Sequence, residues 1–547
     1  MDIKFERADI VIVGSGLSGL ATAFFIDKIS DYTVAVSSKT SAGYGSSTFY
    51  SQGAFRCPGT SYSEDDFIRD ALVGGRYMNR RYLVEILARE CRESIQCLRE
   101  AGIALRETPS GFRVISDDKL FPGRELTTRL ASYLASRGVK FLEGGTLLDI
   151  VRSGNGGYIA LHALGNSIVA VGAKAVVLAT GGAANAYLRS DNPSQLTCDG
   201  HALALRLGLS LVDMEFVQFF PLGVAERGKP PVMIPFTKGR LVNKYSEDIV
   251  QKYGLESLGK AVLVARDALS RYMMTEVKSG NGVDGALLVY PTEDSDELNA
   301  AGFETMRRLN LKPPIRVLPT AHYTMGGVRV DSSLRTALPG FYVAGEEMGG
   351  VHGANRLGGN SITTLIVFGW RAGISAAKYA RNTDYKPINP SDVMRERERI
   401  FGFLDKKDFI HPMKVKRELQ EVMWENVGIV RTGDSMKNAL NVVKRIKMQD
   451  LPRVGVPDGS RRYRMDWVEA IELGNMLTVA EMVTRAAMFR KESRGAHVRD
   501  DYPQKDNRNW LVHTVIRMVD GEMKVWTEPV ELIKLKPPEM LEAAYYE

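Results

Sequence analysis

Two kinds of apolar pattern alternate along the chain. The first is a short unbroken run. Asp9–Val13 ("DIVIV"), "YTVAV" before Ser37, "AVVLA" before Thr180 and "FYVA" after Gly340 are rich in β-branched residues and bounded by glycine or polar residues. That is the form of strands buried on both faces of a parallel sheet. The second pattern is periodic. Leu17, Leu20, Ala21, Phe24 and Phe25 recur at helical spacing, and similar periods predict helices over Glu85–Ala101, Arg129–Arg137, Gly259–Glu276 and "ITTLIVFGWRAGISAAKYA". Residues 390–490 read as mostly helical, while "YIALHAL" and the residues after Leu511 read as strands.

The order of these elements predicts an α/β fold, a Rossmann-type nucleotide-binding domain split by an insertion. We divide it as 1–214 (first part), 215–320 (an inserted α+β capping domain), 321–385 (second part), 386–510 (a helical bundle) and 511–547 (a β-tail). No internal repeat or low-complexity segment interrupts this order.

At 547 residues the chain is too long for one core, and its 44% hydrophobic and 25% charged content is ordinary for a globular protein. The net charge, 72 − 65 = +7, is a mild basic bias without a block of like charges. It suits anionic small substrates and gives no sign of a nucleic-acid partner. The four cysteines, Cys57, Cys91, Cys97 and Cys198, show no CxxC pair. We therefore expect no disulfide framework, no metal site and no iron–sulfur cluster of the chain's own, in keeping with a reducing cytosol. The charged start "MDIKFERADIVIVG" leads straight into a strand rather than resembling a signal peptide, and no apolar run is long enough for a membrane span.

Gly14, Gly16 and Gly19 form GxGxxG between a predicted strand and a predicted helix, the context in which such glycines let the backbone approach a pyrophosphate at a helix N-terminus. The following strand ends in Ser37–Ser38–Lys39, with no acid for a ribose hydroxyl, so this reading alone leaves the nucleotide open. A second strand-end glycine pair, Gly181–Gly182, is expected beside the first loop. Asp199 opens a helix, where capping is the ordinary role. The stretch "VHGANRLGGNS", Val351–Ser361, carries glycines, a histidine, an arginine and two asparagines in eleven residues.

Several segments together resemble one family. "VIVGSGLSGL", "SSTFYSQGA", "VVLATGG", "TCDGHALALRLG", "VARDALSR", "TAHYTMGGVRVD", "GFYVAGEEMGGVHGANRLGGNSI" and "RKESRGAHVRDDYPQKDNRNWLVHT" are similar, in order and rough spacing, to the flavoprotein subunits of succinate dehydrogenase and fumarate reductase and to the related L-aspartate oxidase. The resemblance implies an FAD-binding domain, with Gly14, Gly16, Gly19, Ser38, Lys39, Ser47, Thr48, Gln52, Gly53, Gly181, Asp199, Glu346, Ser361 and Ile362 at the cofactor. The resemblance implies hydride transfer between flavin N5 and a small carboxylate, by C=C reduction or CH–CH oxidation. Membrane-bound members attach FAD through a histidine in "SHT"; here Ser47 holds that position, which implies non-covalent FAD and, in this family, favours reduction of a double bond or a substrate easier to oxidise than succinate. It also implies Arg266 as proton donor, and His322 and Arg356 as a carboxylate clamp, for which the planar guanidinium fork is well suited.

The sequence departs from the family at the other end of the substrate. The family's "QFHPT" is "QFFPL" here, so Phe220 replaces a histidine and Leu222 a threonine. Ile234 and Pro235 lie near the positions of the threonine and the proton-relay glutamate. A second carboxylate would meet Phe220 without a partner, at a cost of roughly several kcal/mol. We expect a small carboxylate with an apolar or uncharged far end, with Phe220, His322 and Arg356 as substrate residues. The resemblance also implies a partner, an iron–sulfur protein subunit. It implies membrane contact only through a partner, and a location in the cytoplasm or peripheral to the inner face of the membrane. Two other activities fit the family: L-aspartate oxidase, and a non-catalytic flavoprotein that relays electrons.

Overall fold

Ile10–Val13 lies at the centre of a five-stranded parallel sheet in the order Phe341–Val343, Ala175–Leu178, Ile10–Val13, Val34–Ser38, Lys140–Glu143. Ile10, Val11 and Ile12 are fully buried, and each such side chain contributes roughly 1.5–3 kcal/mol. This sheet joins chain segments more than three hundred residues apart, so the sheet is itself split in sequence. The helix Leu17–Ile29 packs along the helix Asn360–Arg381. Their approach needs small residues: a Cβ at Gly369 would stand 2.7 Å from both the Ala21 Cβ and the Ser18 carbonyl. The computed structural model describes residues 2–531, apart from 155, 166, 295, 395, 405, 407 and 457–464.

The middle of the chain builds an antiparallel sheet of Val217–Val224, Ile315–Thr324, Leu287–Pro291 and Gly239–Val242. It has its own core, including Phe220, Leu222, Ile234 and Phe236. The pairing of its first two strands slips twice. Gln218 faces Tyr323 and Phe219 faces Ala321, which leaves His322 as the extra residue of a bulge. Bulges of this kind re-aim a side chain. Farther on, the helices Pro412–Val427, Gly433–Arg445 and Met465–Phe489 pack against one another as a bundle.

Two elements here differ from the expectations above, and the expected C-terminal strands form but pair back into the fold. The single helix expected over Gly259–Glu276 is two helices, Leu258–Val264 and Arg266–Lys278, broken at Ala265. The Val262 carbonyl accepts from Arg266 Nε at 2.7 Å and the Leu263 carbonyl from the N–H of the distant Gly358 at 3.2 Å, in place of the helical ladder. The charged N-terminus, expected only to precede a strand, is itself the strand Asp2–Arg7, paired in parallel with Ser167–Ala173. The strands Val512–Val519 and Glu522–Pro529 are joined as a hairpin that pairs with Leu211–Val212, far back in the chain; residues 532–547 of the expected tail lie outside the described residues.

The cysteine expectation is corrected. Cys57 and Cys91 form a disulfide, while Cys97 and Cys198 are free. The strand Ala54–Arg56 ends against the helix Arg81–Cys97, and both sulfurs are buried there. Spacing along the chain could not show this contact, and the cysteine pattern no longer argues for a reducing compartment. Among the described residues no helix is long and apolar enough to cross a membrane, and no group of His, Cys, Asp or Glu is placed to hold a metal.

Candidate active site

The ends of the parallel strands open into a cleft, at the place where an open α/β sheet binds its ligands. Gly14, with φ +112°, brings its loop against the next: a Cβ there would lie 2.2 Å from the Ala179 carbonyl. Gly14, Gly16, Ser38, Lys39, Ser47, Thr48, Gly181, Asp199 and Glu346 all line the cleft. Gly19 does not. Its Cβ would stand 1.9 Å from the Gly14 carbonyl, so it packs the helix onto the loop. Gln52 donates to the Leu120 carbonyl at 2.7 Å, and Gly53, at φ +59°, packs against Val114 and Pro122; neither lines the cleft. Ile362 is buried on the long helix and Ser361 beside it is half-buried; neither lines the cleft.

The cleft fits a dinucleotide. Its walls alternate backbone loops, hydroxyls and apolar patches, and two buried hydroxyls that face it, Ser18 and Ser47, have no hydrogen-bond partner among the described residues. Lys39 Nζ sits at one end, 2.5 Å from Asp199 and 2.6 Å from Glu472, with Thr197 Oγ1 at 2.7 Å. Burial opposes its charge, but the two carboxylates hold its pKa above the ordinary lysine range. Glu472 comes from the bundle helix Met465–Phe489, so the bundle braces the cofactor cleft. At the other end, Glu346 accepts from the Thr324 N–H at 2.9 Å, and burial pushes its carboxyl up to about 7.

Beyond Glu346, the break before Arg266 and the loop 351–361 meet the bulged strand. Arg266, 8% exposed, spends Nε on Val262 and has Nη1 3.4 Å from Gln218 Oε1, while its guanidinium lies 5.0 Å from the Phe220 ring centre. Burial first, and the nearby Arg356 second, lower its pKa to about 9. Arg356 is 4% exposed; its guanidinium lies 4.5 Å from the Tyr323 ring centre, and its Nε is buried without a partner among the described residues. Burial lowers its pKa also. Neither arginine is ion-paired to a carboxylate within the described residues. Gly358 lies against Arg266, where a Cβ would make ordinary contact at 3.6 Å with Nη2, so this loop brings Arg356 beside Arg266.

His322 projects from the bulge, with its ring 5.5 Å from that of Phe220 and its Nδ1 2.8 Å from Asp191 Oδ2. Phe220 is 1% exposed and continues into the apolar core through Leu222 and Ile234. The structure thus brings Arg266, His322, Arg356 and Phe220 together.

Two residues at the site escaped the sequence reading. Gln218 donates to the Asn355 side chain at 2.9 Å and to the Arg356 carbonyl at 2.8 Å, which ties the arginine loop to the strand. A polar residue inside the apolar run "FVQFF" was the available signal. Asp191 sits in "RSDNPSQ", where nothing in the pattern marks it.

Comparison with known proteins gives a consistent result. Residues 9–362 match a model described as an FAD binding domain, and residues 416–541 one described as fumarate reductase flavoprotein C-term. A fumarate reductase (CoM/CoB) subunit of Methanothermobacter marburgensis is 32% identical over 92% of this chain and 96% of its own length. An L-aspartate oxidase of Streptomyces coelicolor is 29% identical over 93% and 91%. A solved quinol fumarate reductase of E. coli superposes with a TM-score of 0.86 at 27% identity, covering 98% of each chain.

Proposed function

We propose a reaction from one premise: the chain belongs to the flavoprotein family of fumarate reductases, succinate dehydrogenases and L-aspartate oxidases, and FAD is its cofactor. The reaction is reduction of a carbon–carbon double bond conjugated to a carboxylate. The observation that carries it is the pair of buried guanidinium groups without a carboxylate ion pair among the described residues, Arg266 and Arg356, converging with His322 beside the cofactor cleft. Burying unpaired charge costs several kcal/mol, about half or more of a domain's net stability, so such a site is built for an anion.

Ser47, in place of a histidine, leaves FAD held non-covalently by Gly14, Gly16, Ser38, Lys39, Asp199 and Glu346, with Ser361 and Ile362 at the ring end. The flavin supplies the hydride. Arg356 and His322 hold the carboxylate and turn the double bond towards Arg266. Arg266 donates a proton from a terminal guanidinium nitrogen to the carbon next to the one that receives hydride. An arginine can do so because that carbon gains carbanion character, which is far more basic than guanidine, and because burial has already lowered the arginine's pKa to about 9. Phe220, Leu222 and Ile234 close the far side with apolar surface, so the substrate is a carboxylate whose other end is uncharged.

Relatives named as flavoprotein subunits support electron delivery by a partner, which we take to be an iron–sulfur protein, with any membrane contact made through it. The test is anaerobic. The purified flavoprotein is reduced and mixed with crotonate, its homologues and fumarate. Reoxidation of the flavin by the monocarboxylates, faster than by fumarate, is the expected outcome. Reoxidation by fumarate alone would restore the dicarboxylate reading, and reoxidation by no acid would favour a role in electron relay.

A further inference from the structure

The bulge that exposes His322 is held from outside the sheet. Residues 189–192 run beside the strand Ile315–Thr324: the Ala321 N–H donates to the Arg189 carbonyl at 2.8 Å, the Asp191 N–H to the Ala321 carbonyl at 3.2 Å, and Asn192 Nδ2 to the His322 carbonyl at 2.9 Å. The Asp191 side chain is buried, 5% exposed, and its Oδ2 accepts from Nδ1 of His322. Its other oxygen accepts from Asn192 Nδ2 at 3.2 Å. An imidazole has two nitrogens, and a partner on one decides what the other can do. With Nδ1–H given to Asp191, Nε2 is the atom left for a ligand.

The charges that face His322 come from three elements. Asp191, on the loop, favours the imidazolium. Arg266, at its helix start, and Arg356, on the loop 351–361, oppose it, and burial opposes it more than either. In the free protein burial wins, and His322 is held below its ordinary pKa. A neutral ring with its proton on Nδ1 presents a lone pair at Nε2, which repels a carboxylate. An arriving carboxylate cancels the opposing effect of Arg266 and Arg356 and adds its own negative charge beside Nε2. Asp191 then no longer has two cations to outweigh.

Resting on the function proposed above, we propose that Asp191 is a positioning residue for carboxylate binding: it fixes the His322 tautomer and supports a second proton at Nε2, so that the protein takes up one proton as the carboxylate binds. The proton comes from solvent and bonds to Nε2, the ring becomes the imidazolium, and Nε2–H donates to the substrate oxygen. No bond to carbon is involved, and the step precedes the chemistry. Asn at 191 would still accept Nδ1–H through its oxygen, but it would lack the charge that stabilises the imidazolium.

The experiment is calorimetric titration of the oxidised holoprotein with crotonate in buffers of different ionisation enthalpy at pH 7.5, which counts protons directly. The wild type is expected to take up close to one proton, with affinity falling about tenfold per pH unit above the free His322 pKa until the bound-state pKa is reached. D191N is expected to take up almost none and to bind about tenfold or more weakly at pH 7.5, with flavin content unchanged. Wild-type binding with no proton uptake overturns the role of Asp191 while leaving the carboxylate reading intact. Absence of any binding by crotonate, acetate or fumarate overturns the carboxylate reading itself. Should D191N not fold, H322Q with Asp191 untouched serves: crotonate binding to it must carry no proton, and uptake equal to wild type would place the proton elsewhere and overturn the proposal.

Discussion

Arg490 and Arg266 are both buried, in opposite company. Arg490 lies 2.6 Å from Glu215 and 2.9 Å from Glu492, with Asp213 at 4.0 Å, and it donates to the Trp510 and Val512 carbonyls at 2.7 and 2.6 Å. Arg494 pairs with the same Glu492 at 2.7 Å. Burial opposes the charge of Arg490, but the three acids outweigh it and raise its pKa. Around Arg266 the balance runs the other way. Burial and Arg356 lower its pKa, and its side-chain contacts are a carbonyl, a glutamine oxygen and the Phe220 ring. The first cluster is complete and ties the end of the bundle to the C-terminal hairpin. The second is incomplete without an anion. Buried charge that is already paired marks architecture, and buried charge left open marks a site.

The contrast breaks most visibly at Arg490. R490M leaves Glu215 and Glu492 buried with their main cation gone, and takes a donor from the hairpin strand at Val512 and another from Trp510 just before it. We expect a loss of about 3–5 kcal/mol, read by denaturant unfolding of the holoprotein. A loss below about 1 kcal/mol would show that water or Arg494 compensates, and the cluster would not be a strut.

R266Q sharpens the same comparison in the other direction. Glutamine keeps a polar end near Gln218 but cannot deliver the proton. Turnover is expected to fall about 10²–10³-fold, equivalent to about 3–4 kcal/mol. Stability should hold or rise, because an unpaired buried charge has been removed. A substantial fall in stability with turnover preserved would place Arg266 with Arg490, among the structural arginines.

The two clusters were not equally legible in the sequence. The glycine loop, the strand "AVVLATGG" and the run "VHGANRLGGNS" are local features, and each carries its conformation in its own residues: Gly14 and Gly359 need positive φ, and the apolar runs need burial. Phe220 was legible because a family motif surrounds it. Asp191 was not, because its role depends on contact with a residue 131 positions away across a sheet bulge. The break at Ala265 was hidden for a similar reason. It exists because Gly358, nearly a hundred residues later, takes a carbonyl the helix would have used. The strand Asp2–Arg7 is a different case. Ile3 and Phe5 alternate with charged residues, a period of two that was available and is weak only because the strand is an edge.

The smallest of these effects bears on what the open cluster is open to. Phe220 pairs with Thr320 across the sheet, and its ring lies against both His322 and the Arg266 guanidinium. The Thr320 hydroxyl beside it is buried with no partner among the described residues. A second carboxylate arriving here would find one hydroxyl and an aromatic face. F220H replaces that face with a donor, and Leu222→Thr adds another two residues along. The histidine must share the pocket with Arg266, whose charge opposes its protonation, so the gain is modest. We expect the ratio of kcat/KM for fumarate over crotonate to rise about tenfold in F220H, one charge-assisted hydrogen bond less the repulsion, and further in the double variant. F220A is the control, since it opens the same space without supplying a donor. If F220A raises the ratio as much as F220H, the wild-type preference is set by volume. If only F220H raises it, the apolar wall selects against charge, and the open arginine cluster is a one-carboxylate site by composition.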